Sequence, residues 1–262
     1  MKWKLKKEKI SENKGITGSG TDYTVYILNS QQKLLATMTG FFIGFFASYV
    51  YFDNKYVSLI VGALLAWKSG DIYQKNLLEK RKRELRIQFR DLLESLSNSF
   101  TVGKTASGAF EAAYGDMRAE YGEKSYIAQE VLLICNTYKN QGVEIKKLLN
   151  DFSDRSGIDD IRSFASVFDV STELGANVPK IIRETRDMIS DKIEVELEIQ
   201  TMVTGQQNQL NTLMIMPLVM SMLTRMFGTT ANSVLVIVVK IVALAAFIFA
   251  YWLGKKIVDI KV

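Results

Sequence analysis

LLESLSNSFTVGKTASGAFEAA, Leu92 to Ala113, decides how the middle of this chain folds. Upstream of it and within it, Leu78, Leu85, Phe89, Leu92, Leu93, Leu96 and Phe100 follow the spacing of one helix face. Gly103 interrupts the run, and apolar or small residues return at Ala106, Ala109 and Phe110. The same offsets follow Gly142, at Ile145, Leu148 and Leu149, and Gly175, at Val178, Ile181 and Ile182. Each glycine also closes a helical run: LLESLSNSF, AQEVLLICNTY and FASVFDVSTEL. Glycine just past a last helical turn takes the left-handed conformation that stops the helix, and the next helix begins a few residues on. Thr105, Val143–Glu144 and Asn177–Pro179 are the expected starts, with Asn177 as an N-cap and Pro179 in a first turn. The spacing predicts three helix–Gly–helix hairpins, a six-helix bundle over residues 71–205. Within it Ile193, Val195, Leu197 and Ile199 alternate with Glu194, Glu196 and Glu198, which is strand periodicity. The stretch is nevertheless expected to be helical, because it lies inside a long run leading from Pro179 into the next apolar segment.

Long uncharged runs flank this middle. Leu34 to Phe52 is bounded by Lys33 and Asp53, and at about 1.5 Å per residue it nearly spans a bilayer core of about 30 Å. Tyr56 to Trp67 lengthens to Gly70 if Lys68 snorkels. Met202 to Thr224 is uncharged, and Val234 to Leu253 is interrupted only by Lys240. Two apolar pairs, 34–70 and 206–254, predict an all-α membrane protein with two transmembrane hairpins around the cytoplasmic bundle. Residues 1–33 and 255–262 read as basic tails rather than a cleaved leader. Five lysines within the first nine residues, a cluster from Lys75 to Arg86, and Lys255, Lys256 and Lys261 lie on one side of the hairpins. The short hairpin loops carry little charge beyond Lys55 and Arg225. The positive-inside rule then places both termini and the middle in the cytoplasm, as a multi-pass protein of the cytoplasmic (inner) membrane.

Charge and composition narrow the function. Residues 69–200 hold 19 Lys/Arg and 23 Asp/Glu, a net of −4, while the flanks hold 14 and 5, a net of +9. A nucleic-acid binder concentrates positive charge on its folded body, so no nucleic-acid partner is expected. The chain has no histidine and a single cysteine, Cys135. That removes His-dependent triads, His-ligated metals and intrachain disulfides. Gly103-Lys104-Thr105 resembles the end of a phosphate loop, but Asn98 stands where the motif needs its first glycine. Asp151, Asp154, Asp159 and Asp160 surround Gly157 without EF-hand spacing, since Phe152 would fall at position one. They are expected in a solvated loop and at helix ends. No enzymatic activity, cofactor or metal is expected.

Packing and motion also leave marks. Ala36, Gly40, Gly44 and Ser48 recur every four residues in the first apolar run, and Ser58, Gly62, Ala66 and Gly70 in the second. Such stripes let helix backbones approach closely in lipid, either on each other or on copies in an oligomer. Gly205 and Pro217 are candidate hinges of the third run, which also carries five methionines and an amide cluster from Gln206 to Asn211. Glu194, Glu196 and Glu198 form an acidic surface that a partner could meet.

Taken with the topology, the segments LSNSFTVGKTASGAFEAA and FDVSTELGANVPKIIRET resemble the F-domain proteins of type II secretion and type IV pilus-like machines. One F domain between two apolar pairs is most similar to the tight-adherence (Tad) pilus platform proteins, TadB/TadC-like; the secretion and type IV pilus versions usually carry two. The resemblance implies a non-enzymatic platform. Its implied partners are a cytoplasmic secretion ATPase, pilin subunits, a second F-domain platform protein or further copies of itself, and the lipid bilayer. A polytopic membrane transporter or channel component is the alternative, for which only the amide cluster and Lys240 supply polar groups in the apolar runs.

Overall fold

The computed structural model describes residues 13–174, 178–226 and 234–258. Gly175, Asn177, Lys261, the N-terminal lysines and the side chains of Arg225, Lys240 and Lys255 lie outside the described residues or side chains. The described residues form eight helices and no strand: α1 (Ser30–Phe52), α2 (Lys55–Thr101), α3 (Ala106–Tyr121), α4 (Tyr126–Gln141), α5 (Ile145–Ser156), α6 (Asp159–Leu174), α7 (Val178–Met226) and α8 (Val234–Val258). Contacts divide the chain into two units. One holds Met1–Ile27 and Lys75–Lys192, the other Leu28–Gln74 and Ile193–Val262. The helices α2 and α7 each contribute to both.

In the first unit, α3 packs along α4, α5 along α6, and α4 meets α5. Apolar side chains at helical spacing make its core: Phe89, Leu92 and Leu96 of α2, Phe110 of α3, Val131 of α4, Leu148 and Phe152 of α5, and Phe164 and Phe168 of α6. Phe89 meets Phe164 edge-on at 5.5 Å and Phe152 at 6.3 Å. Ring pairs of this kind add to the area term. Gly103 (φ +84°) and Gly142 (φ +65°) do end helices at positive φ. Thr105 caps α3 by accepting from the Gly108 amide at 3.3 Å. Two further glycines act alike: Gly122 (φ +83°) ends α3 and Gly157 (φ +58°) ends α5. The apolar offsets after Gly103 do not recur after these two. Ser125 caps α4 three residues beyond Gly122, and Ile158 follows Gly157 directly. The Ile193–Ile199 patch is helical within α7. Its half-buried positions are Ile193, Glu196 and Ile199, a step of three, so burial ignores the alternation in the sequence.

In the second unit, α1 is 23 residues long with a mean hydropathy of 1.5 over its most apolar stretch. Among the described residues it is the one helix long and apolar enough to cross a membrane. Gln32 reaches back to accept from the Asn29 amide at 3.1 Å and closes its first turn. At the other end Asp53, at φ +53°, donates its amide to the Tyr49 carbonyl, and α2 begins two residues later.

Candidate functional site

Gly40 and Ser69 face each other so closely that a Cβ on Gly40 would lie 2.6 Å from the Ser69 side chain. A Cβ on Gly44 would meet Leu65 at 2.7 Å and the Gly62 backbone at 3.2 Å, and one on Gly62 would meet Phe41 at 3.2 Å. The Ser69 hydroxyl donates across to the Ala36 carbonyl at 2.8 Å, and within α2 to the Ala66 carbonyl. Ala36, Ser48 and Ser58 are buried, and Ser58 donates to the Asn54 carbonyl. Gly40, Gly44, Gly62 and the Ala36 carbonyl therefore lie where α1 meets α2, whereas Gly70 has open space around it. Backbone approach of this closeness is what small side chains permit.

Farther along the same unit, Gly205 is helical with open space where a Cβ would stand. Pro217 lies inside α7 and lines an apolar cavity of about 460 Å³ with Tyr51, Leu213, Met216, Met220, Ser221 and Phe247. Ser221 donates to the Val50 carbonyl at 2.9 Å. Glu194 and Glu198 are exposed and Glu196 is half-buried. The amides from Gln206 to Gln209, with Asn211, are exposed.

The first unit holds an arrangement that no motif announced. Arg155 of α5 is 1% exposed, and its fork clasps Glu130 of α4 with two bonds of 2.8 Å. Its Nε donates to Asp151 Oδ2 one turn earlier, also at 2.8 Å. Asp151 is thus a buried ion-pair partner rather than the solvated loop residue expected from sequence. Residues 13–27, read from sequence as part of a basic tail, lie over these charges. Arg155 Nη1 donates to the Thr21 carbonyl at 3.0 Å, and the Ile16 amide donates to Asp151 Oδ1 at 2.6 Å. The Tyr23 amide donates to the Arg155 carbonyl at 2.8 Å, and the Tyr23 hydroxyl to Glu130 Oε1 at 2.9 Å. The Tyr23 ring is fully buried, edge-on to Tyr126 and Phe152, with the Arg81 guanidinium 4.6 Å from its centre.

Electrostatics follow from this geometry. Burial pushes the Tyr23 hydroxyl far above the ordinary phenol range, and the Glu130 carboxylate adds to it. Burial by itself would ease the proton off Arg155; Glu130 and Asp151 more than offset it and keep the guanidinium charged. Burial also opposes the charge on Asp22. Hydrogen bonds from the Thr24 hydroxyl and from the Asn13 and Thr24 amides, together with Arg81, outweigh it and hold that carboxyl below its usual range. Both oxygens of Glu130 and of Asp151 accept bonds, so the cluster ties α4, α5 and residues 16–23 together. Elsewhere, Cys135 is half-buried, and burial with the nearby Glu111 pushes its thiol up to about 11, against the pull of Lys139. Among the described residues no group of three metal-ligating side chains comes together.

Comparison with known proteins adds no family: no family model, no curated protein and no solved structure matches the chain.

Proposed function

We propose that this chain is a non-enzymatic platform subunit of the cytoplasmic membrane in a Tad pilus-like or type II secretion machine. In this reading residues 34–70 and 206–254 are two transmembrane hairpins, and the helices between them form a cytoplasmic F domain of three glycine-joined hairpins. A cytoplasmic secretion ATPase presses on that domain, and α2 and α7 carry the displacement to the apolar helices beside which pilins leave the bilayer. The observation that carries the reading is the sorting of the chain: its long uncharged runs fall in the unit made of Leu28–Gln74 and Ile193–Val262, and the charged, glycine-jointed helices fall in the other. The helices α2 and α7 run unbroken from one to the other, which suits transmission by contact in a chain with no nucleotide motif.

The test uses the full chain in nanodiscs and the secretion ATPase encoded beside it. Binding is expected, weakening as salt rises, because residues 69–200 carry a net of −4. Cysteine at Glu120, exposed on α3, should stay unlabelled by an impermeant maleimide in intact cells. Labelling there would overturn the orientation, and surface pili of normal number in a deletion strain would overturn the platform role.

A further inference from the structure

The charges under residues 13–27 pair with one another independently of that segment. Arg155, Glu130 and Asp151 bond to one another across α4 and α5, and both helices carry their own apolar faces beneath, at Ile127, Val131, Leu148 and Leu149. The covering segment has no regular structure and turns through Gly15 at φ +71° and Gly18 at φ +67°. Its side chains hold little apolar area: Tyr23 is buried, but Ile16 and Ile27 are each 63% exposed. Backbone groups make most of its contacts. At two points the fit is close enough to read sequence. A Cβ on Gly15 would lie 2.4 Å from the Asp151 carboxylate, and one on Gly20 would lie 2.6 Å from the Arg155 guanidinium. The floor therefore selects a segment that turns back on itself, the Gly18 amide on the Gly15 carbonyl and the Gly20 amide on the Lys14 carbonyl, with glycine at 15 and 20 and an aromatic hydroxyl three residues beyond the second.

We propose that the Arg155–Glu130–Asp151 cluster is the floor of a peptide cleft, and that residues 13–27 are its tethered ligand, a strap that opens without unfolding the helices. Opening exposes charged groups, which water solvates readily, together with Tyr23, half-buried Tyr26 and the part of Phe152 that Tyr23 meets; the other core side chains, such as Phe89, Leu148 and Phe164, belong to the helices. A segment held mostly by polar contacts, with Tyr23 and Tyr26 beside Arg81, sits at the low end of the local stabilities within a domain. The floor keeps its shape on opening because the three charges still pair with one another, so the same or an equivalent peptide can return to it. The proposal does not depend on the platform role.

The experiment uses the full chain in detergent with Cys135→Ser, and as probe a fluorescent synthetic peptide of residues 13–27. A Cβ built on Gly157 lies 3.8 Å from Thr24 Cβ, which is disulfide spacing. Thr24→Cys with Gly157→Cys therefore gives a strap that oxidation locks and dithiothreitol frees. Three results are expected. The peptide binds the chain carrying Tyr23→Ala at least 10-fold more tightly than it binds the chain with its own strap intact. A peptide carrying Gly20→Val or Tyr23→Ala loses binding. The oxidised double-cysteine chain excludes the peptide, and reduction restores it. Hydrogen exchange of the unmodified chain gives a reading free of substitutions: amides of 16–24 should exchange at least 10-fold faster than the interior of α4 and α5. Exchange of the strap only in step with those helices, or equal peptide binding by locked and freed chains, would overturn the proposal.

Discussion

Replacing Glu130 by leucine is the most direct test of what the buried cluster contributes. The side chain is 2% exposed and accepts three hydrogen bonds, two from Arg155 and one from the Tyr23 hydroxyl. Leucine fills similar space but leaves Arg155, 1% exposed, with Asp151 and the Thr21 carbonyl alone. Removing one partner of a buried ion pair costs about 3–5 kcal/mol, since the other charge stays desolvated. For a chain of this size about 2–4 °C of melting temperature accompanies each kcal/mol, so a fall of about 6–20 °C is expected. Glu130→Gln keeps an oxygen for Arg155 and should lose less than half as much. Circular dichroism melts of the full chain in one detergent would measure both. Adding Arg155→Met to Glu130→Leu removes the stranded charge, and the double variant should recover part of the loss. A fall under about 3 °C for Glu130→Leu would refute the reasoning. It would mean that water reaches Arg155 and that the cluster is not the anchor its geometry indicates.

Other outcomes follow from single positions. Gly142→Val forces a β-branched residue to φ +65° and should cost about 1 kcal/mol or more, read as a melting shift of a few degrees. Gly205→Ala fills open space in a helix and should stabilise by about 0.5–1 kcal/mol; if Gly205 is a working hinge, pilus assembly falls while the melting temperature rises. Cys135, with its thiol pushed up to about 11 by burial and then by Glu111, should alkylate with iodoacetamide at a rate that climbs through pH 9 to 11 instead of levelling near 9. Because the folded value is the raised one, its contribution to stability is whole below about pH 9 and fades as pH passes 11.

The helical middle was legible because its information is local. Gly103 and Gly142 are flanked by apolar residues at fixed offsets, and the structure gives both positive φ. Gly122 and Gly157 do the same work with different loop lengths, so an offset learned from the first two passes over them. In α7 the alternation of isoleucine, valine and leucine with glutamate misstates the period. The half-buried positions fall at every third residue, and Val195 and Leu197 stay exposed. The close fit of Gly40 against Ser69 and of Gly44 against Gly62 could be anticipated from the four-residue stripes; which helix each stripe would meet could not.

The strap was hidden for a different physical reason. Its bonds join Ile16 to Asp151, Tyr23 to Glu130 and Thr21 to Arg155, over separations of 135, 107 and 134 residues. A window of helical length cannot contain both ends of any of them. The floor itself did leave a trace. Glu130 lies on the face of α4 that holds Ile127, Val131 and Ile134, and Arg155 lies on the face of α5 that holds Leu148 and Phe152. A charge placed in such a face must be paired, because an isolated one costs several kcal/mol when buried. Opposite charges on two apolar faces match once the fold sets α4 against α5. Once Glu130 and Arg155 are paired, Glu130 retains lone pairs that need donors, and the segment from Gly15 to Tyr23 supplies one in a phenolic hydroxyl. The glycines at 15 and 20 are then required, because the backbone must lie directly on the paired charges with no Cβ between.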